Sequence, residues 1–193
     1  MIEDAIIESN ISPSKLKQMF DYRLSRLRQS MAKKNISLVI LQNPVSLRYA
    51  IDFDEYQLFQ SHIPTCYLFV PIEGPIVMHG SVRRDFPNVD EYKRPCFISP
   101  FDGGVELKDK AELFCKELKQ FTGEYCQNNQ IGIERMSPEV FNTLRDANFQ
   151  LTDAECILEQ AKKIKCVTEI ECIKNSILVA EHGIKLMHEN SVE

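Results

Sequence analysis

No phosphate-cradling loop exists in this sequence: neither G-x-x-x-x-G-K nor G-x-G-x-x-G occurs, and only seven of the 193 residues are glycine. The usual nucleotide-binding signatures are therefore excluded. H-E-x-x-H is missing as well, since His188-Glu189 continues as Asn190-Ser191-Val192. His182 and His188 stand six residues apart, whereas only residues three or four apart meet on one helix face. The seven cysteines contain no C-x-x-C pair, which argues against a structural zinc site. An odd cysteine count without an export signal suits reduced thiols packed as small hydrophobes in a cytoplasm. No apolar run approaches the roughly 18 residues of a membrane span. The acidic opening "MIEDAIIESN" lacks the basic and apolar regions of a signal peptide. A formal net charge of -5 offers no general attraction to nucleic acid or anionic membrane. Serine and cysteine nucleophile signatures are absent too.

What is present is a normal globular composition, with 44% hydrophobic and 26% charged residues. After a loose arm over residues 1–12, Ser12-Pro13 gives a cap and a first-turn proline. Leu16, Phe20, Leu24, Leu27 and Met31 then form one apolar helical stripe. Lysines and arginines crowd that helix, as a solvated face or a nucleic-acid surface. "ISLVIL" (36–41) reads as a buried strand, and Asn43-Pro44 opens a short helix to about Ile51. "TCYLFV" (65–70) and "IVMH" (76–79) form a hairpin, and "CFIS" (96–99) a short strand ended by the loop "PFDGG". Leu107, Ala111, Phe114, Leu118 and Phe121 mark a second amphipathic helix. Strand "QIGIE" (130–134), a helix from Ser137-Pro138, strand "FQLTD" (149–153) and a helix capped by Asp153 complete the pattern. Six strands alternating with helices predict an α/β fold, a mixed, roughly six-stranded sheet with helices on both faces. Thr168 and Glu171 fit a capping box for a last helix with an apolar seam of Ile170, Ile173, Ile177, Ala180, Ile184 and Met187. That seam folds back on the domain or opens a further one.

Glu134, Asp52, Asp54 and Glu55 are the carboxylate candidates, but none has a partner at a spacing that fixes acid–base geometry. The segment "YQLFQSHIP" (56–64) gathers two aromatics and a histidine ahead of a strand. Two readings stand side by side. Tyr56 and Phe59 fill core while His62 bonds backbone, or the segment is a loop that walls a substrate with an imidazole at its tip.

"RLSRLRQSMAKKNISLVILQNPVSLRYA" (23–50) resembles the N-terminal domain of the creatinase, prolidase and aminopeptidase P family, with its R-x-x-R-L helix, strand, N-P turn and tyrosine. "AKKIKCVTEIECIKNSILVAEHGI" (161–184) resembles the junction helix of that family. The resemblance implies a ribonuclease H-like creatinase N-terminal domain over 13–165 and a junction helix over 166–193 leading to an absent catalytic domain. That absent domain is expected to carry a divalent metal pair. This chain is expected to hold no metal and no catalytic residue. It also implies a cytoplasmic homodimer in which this domain caps the substrate, a small molecule or dipeptide, in a creatinase-like or Xaa-Pro peptidase reaction. Phe59, His62 and Tyr56 are the expected substrate-facing residues. Arg48, Tyr49, Ala50, Asp52, Gln57, Leu58, Phe59, His62 and Pro64 resemble, more locally, the dimethylsulfoniopropionate lyases of the same fold. The aromatic in that branch is tryptophan, and tryptophan is absent here. A stand-alone interaction domain, with the last helix as a dimer seam, is the alternative of another class.

Overall fold

The computed structural model describes residues 11–55 and 57–191, without the side chains of residues 57–59. Six strands form one sheet in the order β4-β3-β2-β1-β5-β6. They are β1 (Leu38–Leu41), β2 (Tyr67–Pro71), β3 (Val77–His79), β4 (Glu91–Lys93), β5 (Gln130–Ile133) and β6 (Gln150–Asp153). β2 runs antiparallel to both of its neighbours, and the β1–β5, β5–β6 and β3–β4 pairs are parallel. β1 is the pivot of the topology. The chain first moves outward through β2, β3 and β4, then returns to the other side of β1 with β5 and β6.

Alternate residues of the strands feed two separate cores, as a pleat of period two requires. Val39, Leu41, Leu68, Val70 and Met78 pack under α1 (Pro13–Ala32), α2 (Pro44–Ile51) and α7 (Glu155–Lys162). Leu38, Ile40, Tyr67, Phe69, Ile131 and Ile133 pack under α5 (Leu107–Tyr125) and α6 (Pro138–Asp146). Phe114 and Leu118 of α5 are fully buried, each worth roughly 2 kcal/mol by area removed from water. A Cβ on Gly132 would meet Val39 Cγ1 of the neighbouring β1 at 2.9 Å and Ile157 Cδ1 of α7 at 3.4 Å, so glycine lets strand and helix pack closely there. The mixed sheet with helices on both faces stands as expected.

Three local expectations do not. "CFIS" is irregular; the edge strand is Glu91–Lys93 instead. Cys96 N donates to the Tyr67 hydroxyl at 3.0 Å rather than to a strand, and Ser99 caps the one-turn helix α4 (Pro100–Gly103). The presumed loop at 56–64 contains a six-residue helix, α3 (Gln57–His62). The last helix, α8 (Val167–Asn190), is boxed two residues earlier than Thr168: Cys166 is the cap and its N–H donates to Glu169 Oε2 at 2.9 Å.

The cationic residues of α1 have structural employment. Arg28 donates to the carbonyls of Pro71 and Gly74, closing the β2–β3 turn. Arg23 bonds Glu169 at 2.9 Å and Lys15 pairs with Glu171 at 3.2 Å, fastening the start of α8 to the domain. Beyond that clasp the α8 seam stays exposed: Ile173, Ile177 and Ile184 keep 48%, 51% and 63% of their surface. Among the described residues no helix is long and apolar enough to cross a membrane.

Candidate functional site

The carboxyl ends of β1 and β5 lie side by side, and the helices that follow them leave to opposite faces of the sheet, α2 into one core and α6 into the other. Divergence of this kind opens a crevice at the end of the sheet, the usual place for ligands in open α/β folds.

Glu134 builds the floor of that end. Its carboxylate is buried and accepts from Gln42 N and Asn43 N at 2.9 Å each and from Ser46 Oγ at 2.7 Å. Burial pushes its pKa up, against the three hydrogen bonds that hold it down. The first of the four carboxylate candidates is thus a clamp on the β1–α2 turn, turned away from solvent. The Gln42 amide, with its nitrogen toward β5, donates to Glu134 O and Arg135 O at 2.8 Å each. Held this way, Arg135 adopts φ 44°, a left-handed conformation that costs a non-glycine residue about 1–3 kcal/mol and persists only under such constraint. The chain turns there, and the Arg135 side chain swings across the crevice.

α3 forms the facing wall. Gln60 is completely buried at its centre and its amide acts as a rivet. Nε2 donates to Gln42 O at 3.0 Å and Cys66 O at 2.8 Å, while Oε1 accepts from Thr65 N at 2.9 Å and Cys66 N at 3.2 Å. Arg135 Nη1 donates to Ser61 O at 2.7 Å and ties down the exit of α3. Its entrance follows a cluster in which Arg84 pairs with Asp54 and Glu55, and Arg48 with Asp52 at 2.9 Å. The other three carboxylate candidates are consumed there. Asp52 also ends α2 in the left-handed conformation.

Between α3, α4 and the start of α6 lies a cleft of about 430 Å3. His62 and Arg135 lie on its rim, and Ile63, Ile98, Phe101 and Met136 supply its apolar surface. No aspartate or glutamate lines it among the described residues, although the chain carries net charge -5. Of the three residues expected from the sequence to face a substrate, His62 is placed in this cleft. Tyr56 and the Phe59 side chain lie outside the described residues. Gln60 and Arg135 were not singled out by sequence reasoning. A glutamine inside a short segment and an arginine 74 positions downstream of Ser61 carry no common motif.

Away from the cleft, His79, Cys66 and Cys96 are held in packed surroundings. His79 is fully buried, bonded through Nε2 to Glu117 at 2.9 Å and stacked on Tyr67 at 4.5 Å. Burial pushes the Cys66 thiol up to about 12, and burial with the neighbouring Glu117 pushes Cys96 to about 11. Thiols held this high supply little thiolate for nucleophilic work. Among the described residues no three His, Cys, Asp or Glu side chains converge as a metal site.

Comparison with known proteins follows the geometry. Residues 23–164 match the Creatinase/Prolidase N-terminal domain family. The chain is 24% identical to a dimethylsulfoniopropionate lyase DddP from Roseovarius nubinhibens over 89% of its length, and 21% identical to one from Roseobacter denitrificans over 90%. It spans 40% of the length of each of these relatives. Among solved structures it is similar to the prolidase of Pyrococcus horikoshii OT3, with TM-score 0.53 and 15% identity over 89% of this chain and 43% of that one. It is also similar to an Xaa-Pro aminopeptidase structure from Streptococcus pyogenes, with TM-score 0.51 and 10% identity over 75% of this chain and 98% of that one. At these identities the structural likeness speaks for the fold alone.

Proposed function

Because the chain belongs to the creatinase/prolidase N-terminal domain family, we propose that it is the non-catalytic N-terminal domain of a larger, cytoplasmic, metal-dependent enzyme, with α3 as its substrate-capping element. The domain spans residues 13–165, and the helix from 166 onward joins it to a catalytic half that carries the divalent metal pair. The supporting observation is the way α3 is fixed at Gln60 and Ser61 so that His62 faces a cleft beside Arg135. A wall pinned through its backbone is pre-organised for a ligand, which lowers the ordering cost of binding. An imidazole can both donate and accept hydrogen bonds, which suits the polar tip of such a wall. Phe59 and Tyr56 act with His62 as apolar contacts. The exposed seam of α8 is the surface that meets the catalytic half, since a helix apolar along one side must bury that side. The same domain contributes contacts to a homodimer.

Two reactions compete for the parent enzyme. Hydrolysis of Xaa-Pro dipeptides or a creatinase-like substrate fits the family as a whole. A lyase reaction on dimethylsulfoniopropionate is favoured by the two sequence relatives, whose similarity runs along nearly all of this chain. Incubating the enzyme that contains this chain, loaded with divalent metal, with an Xaa-Pro dipeptide and with dimethylsulfoniopropionate separates them. Consumption of one by the larger protein, and of neither by the 193-residue chain, is the expected result. Turnover by the 193-residue chain alone would overturn the non-catalytic reading.

A further inference from the structure

We infer that the crevice between the carboxyl ends of β1 and β5 is by itself a binding site for a small organic oxyanion with an apolar body. The inference rests on the reading of α3 as a ligand-facing wall, but requires nothing beyond this chain.

The topology makes the crevice. β1 and β5 are parallel neighbours, yet β1 is continued by α2 on one face and β5 by α6 on the other. Gln42 and Glu134 bridge the two strand ends at the floor, and the cleft opens above them between α3, α4 and the start of α6, at the kind of reversal in strand order that holds ligands in open sheets. The side chains around the gap then set the chemistry. Arg135 makes one side-chain hydrogen bond, to Ser61 O, and no ion pair among the described residues. In this it differs from Arg23, Arg48 and Arg84, each of which is paired with a carboxylate. A guanidinium carries five N–H donors in a fork that matches an oxyanion bidentately, so one backbone bond leaves most of that capacity unspent. His62 stands on the same rim. The nearby carboxylate of Glu134 does not neutralise them, because it is buried and turned onto Gln42, Asn43 and Ser46. No acid lines the cleft, and Asp102 beside it is engaged by the Ser99 hydroxyl at 2.8 Å, so the rim of Arg135 and His62 favours anions over cations. Ile63, Ile98 and Met136 give the apolar body of the ligand its surface. Arg135 is also held in the left-handed conformation, a strain that clusters at ligand clamps.

The test uses the 193-residue chain and three probes of one shape: benzoate, phenyl phosphate and the neutral benzamide. Binding is followed by the amide resonances of Gln42, Ser61, His62, Arg135 and Met136. Saturating shifts confined to these residues with benzoate or phenyl phosphate, and none with benzamide, are expected. Whichever oxyanion binds tighter identifies the headgroup. Arg135→Gln should weaken binding about tenfold or more, as loss of a charge-assisted fork does, with Arg135→Lys intermediate. Met136→Glu places an acid in the cleft without touching the Ser61 tether and should abolish binding even if Arg135→Gln proves unstable. Equal binding of benzamide, an equal loss in Lys165→Gln, which removes an exposed cation outside the cleft, or no saturable shift would each overturn the inference. Failure here leaves the capping role of α3 standing. That role fails separately, if His62 and Phe59 variants leave the kinetics of the larger enzyme unchanged.

Discussion

Replacing Gln60 by leucine removes the rivet of α3 while keeping nearly the same volume. Two backbone N–H groups, of Thr65 and Cys66, lose their acceptor, and two carbonyls, of Gln42 and Cys66, lose their donor. A buried polar group left unpaired costs about 1–3 kcal/mol, so even the low end over these groups is about 4 kcal/mol. At about 2–4 °C per kcal/mol for a chain of this size, Tm should fall by about 8–16 °C. A domain holding about 10 kcal/mol of stability still folds after that loss. Urea and thermal unfolding followed by circular dichroism measure the cost, and hydrogen exchange shows where it falls. Amide protection in α3 and in 65–66 should drop more than in α5, whose core is untouched. A loss below about 1 kcal/mol, or a uniform loss of protection, would refute the rivet, because surface-like substitutions stay within about 0.5 kcal/mol.

Glu134→Ala strands two N–H groups and a hydroxyl and should cost about 3 kcal/mol. Glu134→Gln should cost far less, because the amide oxygen still accepts both N–H groups and Ser46 accepts from the new NH2. Burial raises the Glu134 pKa in the folded state, so the wild type sheds stability relative to Glu134→Gln as pH rises from about 4.3 through the raised value; parallel urea midpoints from pH 4 upward check both. For Glu117, burial pushes the pKa up, but the hydrogen bond and charge of His79 pull it below its ordinary value. Its contribution is therefore complete above about pH 4.3 and lost as pH falls through the depressed folded value. The acid limb of the stability curve should flatten in Glu117→Gln, measured by urea midpoints across that range.

Helix stripes were the most legible part of the sequence. Pro13, Pro44 and Pro138 mark helix starts that the structure places at those residues, because a proline lacks the N–H that a first turn has no use for. The central strands were legible through continuous apolar runs. β4 was not, since "EYK" has no apolar run and owes its strand state to pairing with β3. "CFIS" looked like a strand by composition, yet its backbone is drawn to the Tyr67 hydroxyl. α3 escaped because six residues are too few for a helical period, and a buried glutamine holds it through contacts with Cys66 and Gln42. The same limit hid Arg135. His62 was visible from its neighbours, whereas an arginine just past the end of β5 joins it only once the sheet places β5 next to β1.

The capping role of α3 is tested most directly by the kinetics of the larger enzyme with His62→Ala and Phe59→Ala, each checked for an unchanged Tm. The expected result is a fall in kcat/KM of about tenfold or more, the scale of a lost substrate-positioning contact. Wild-type kcat/KM in both variants, with either substrate class, would contradict it.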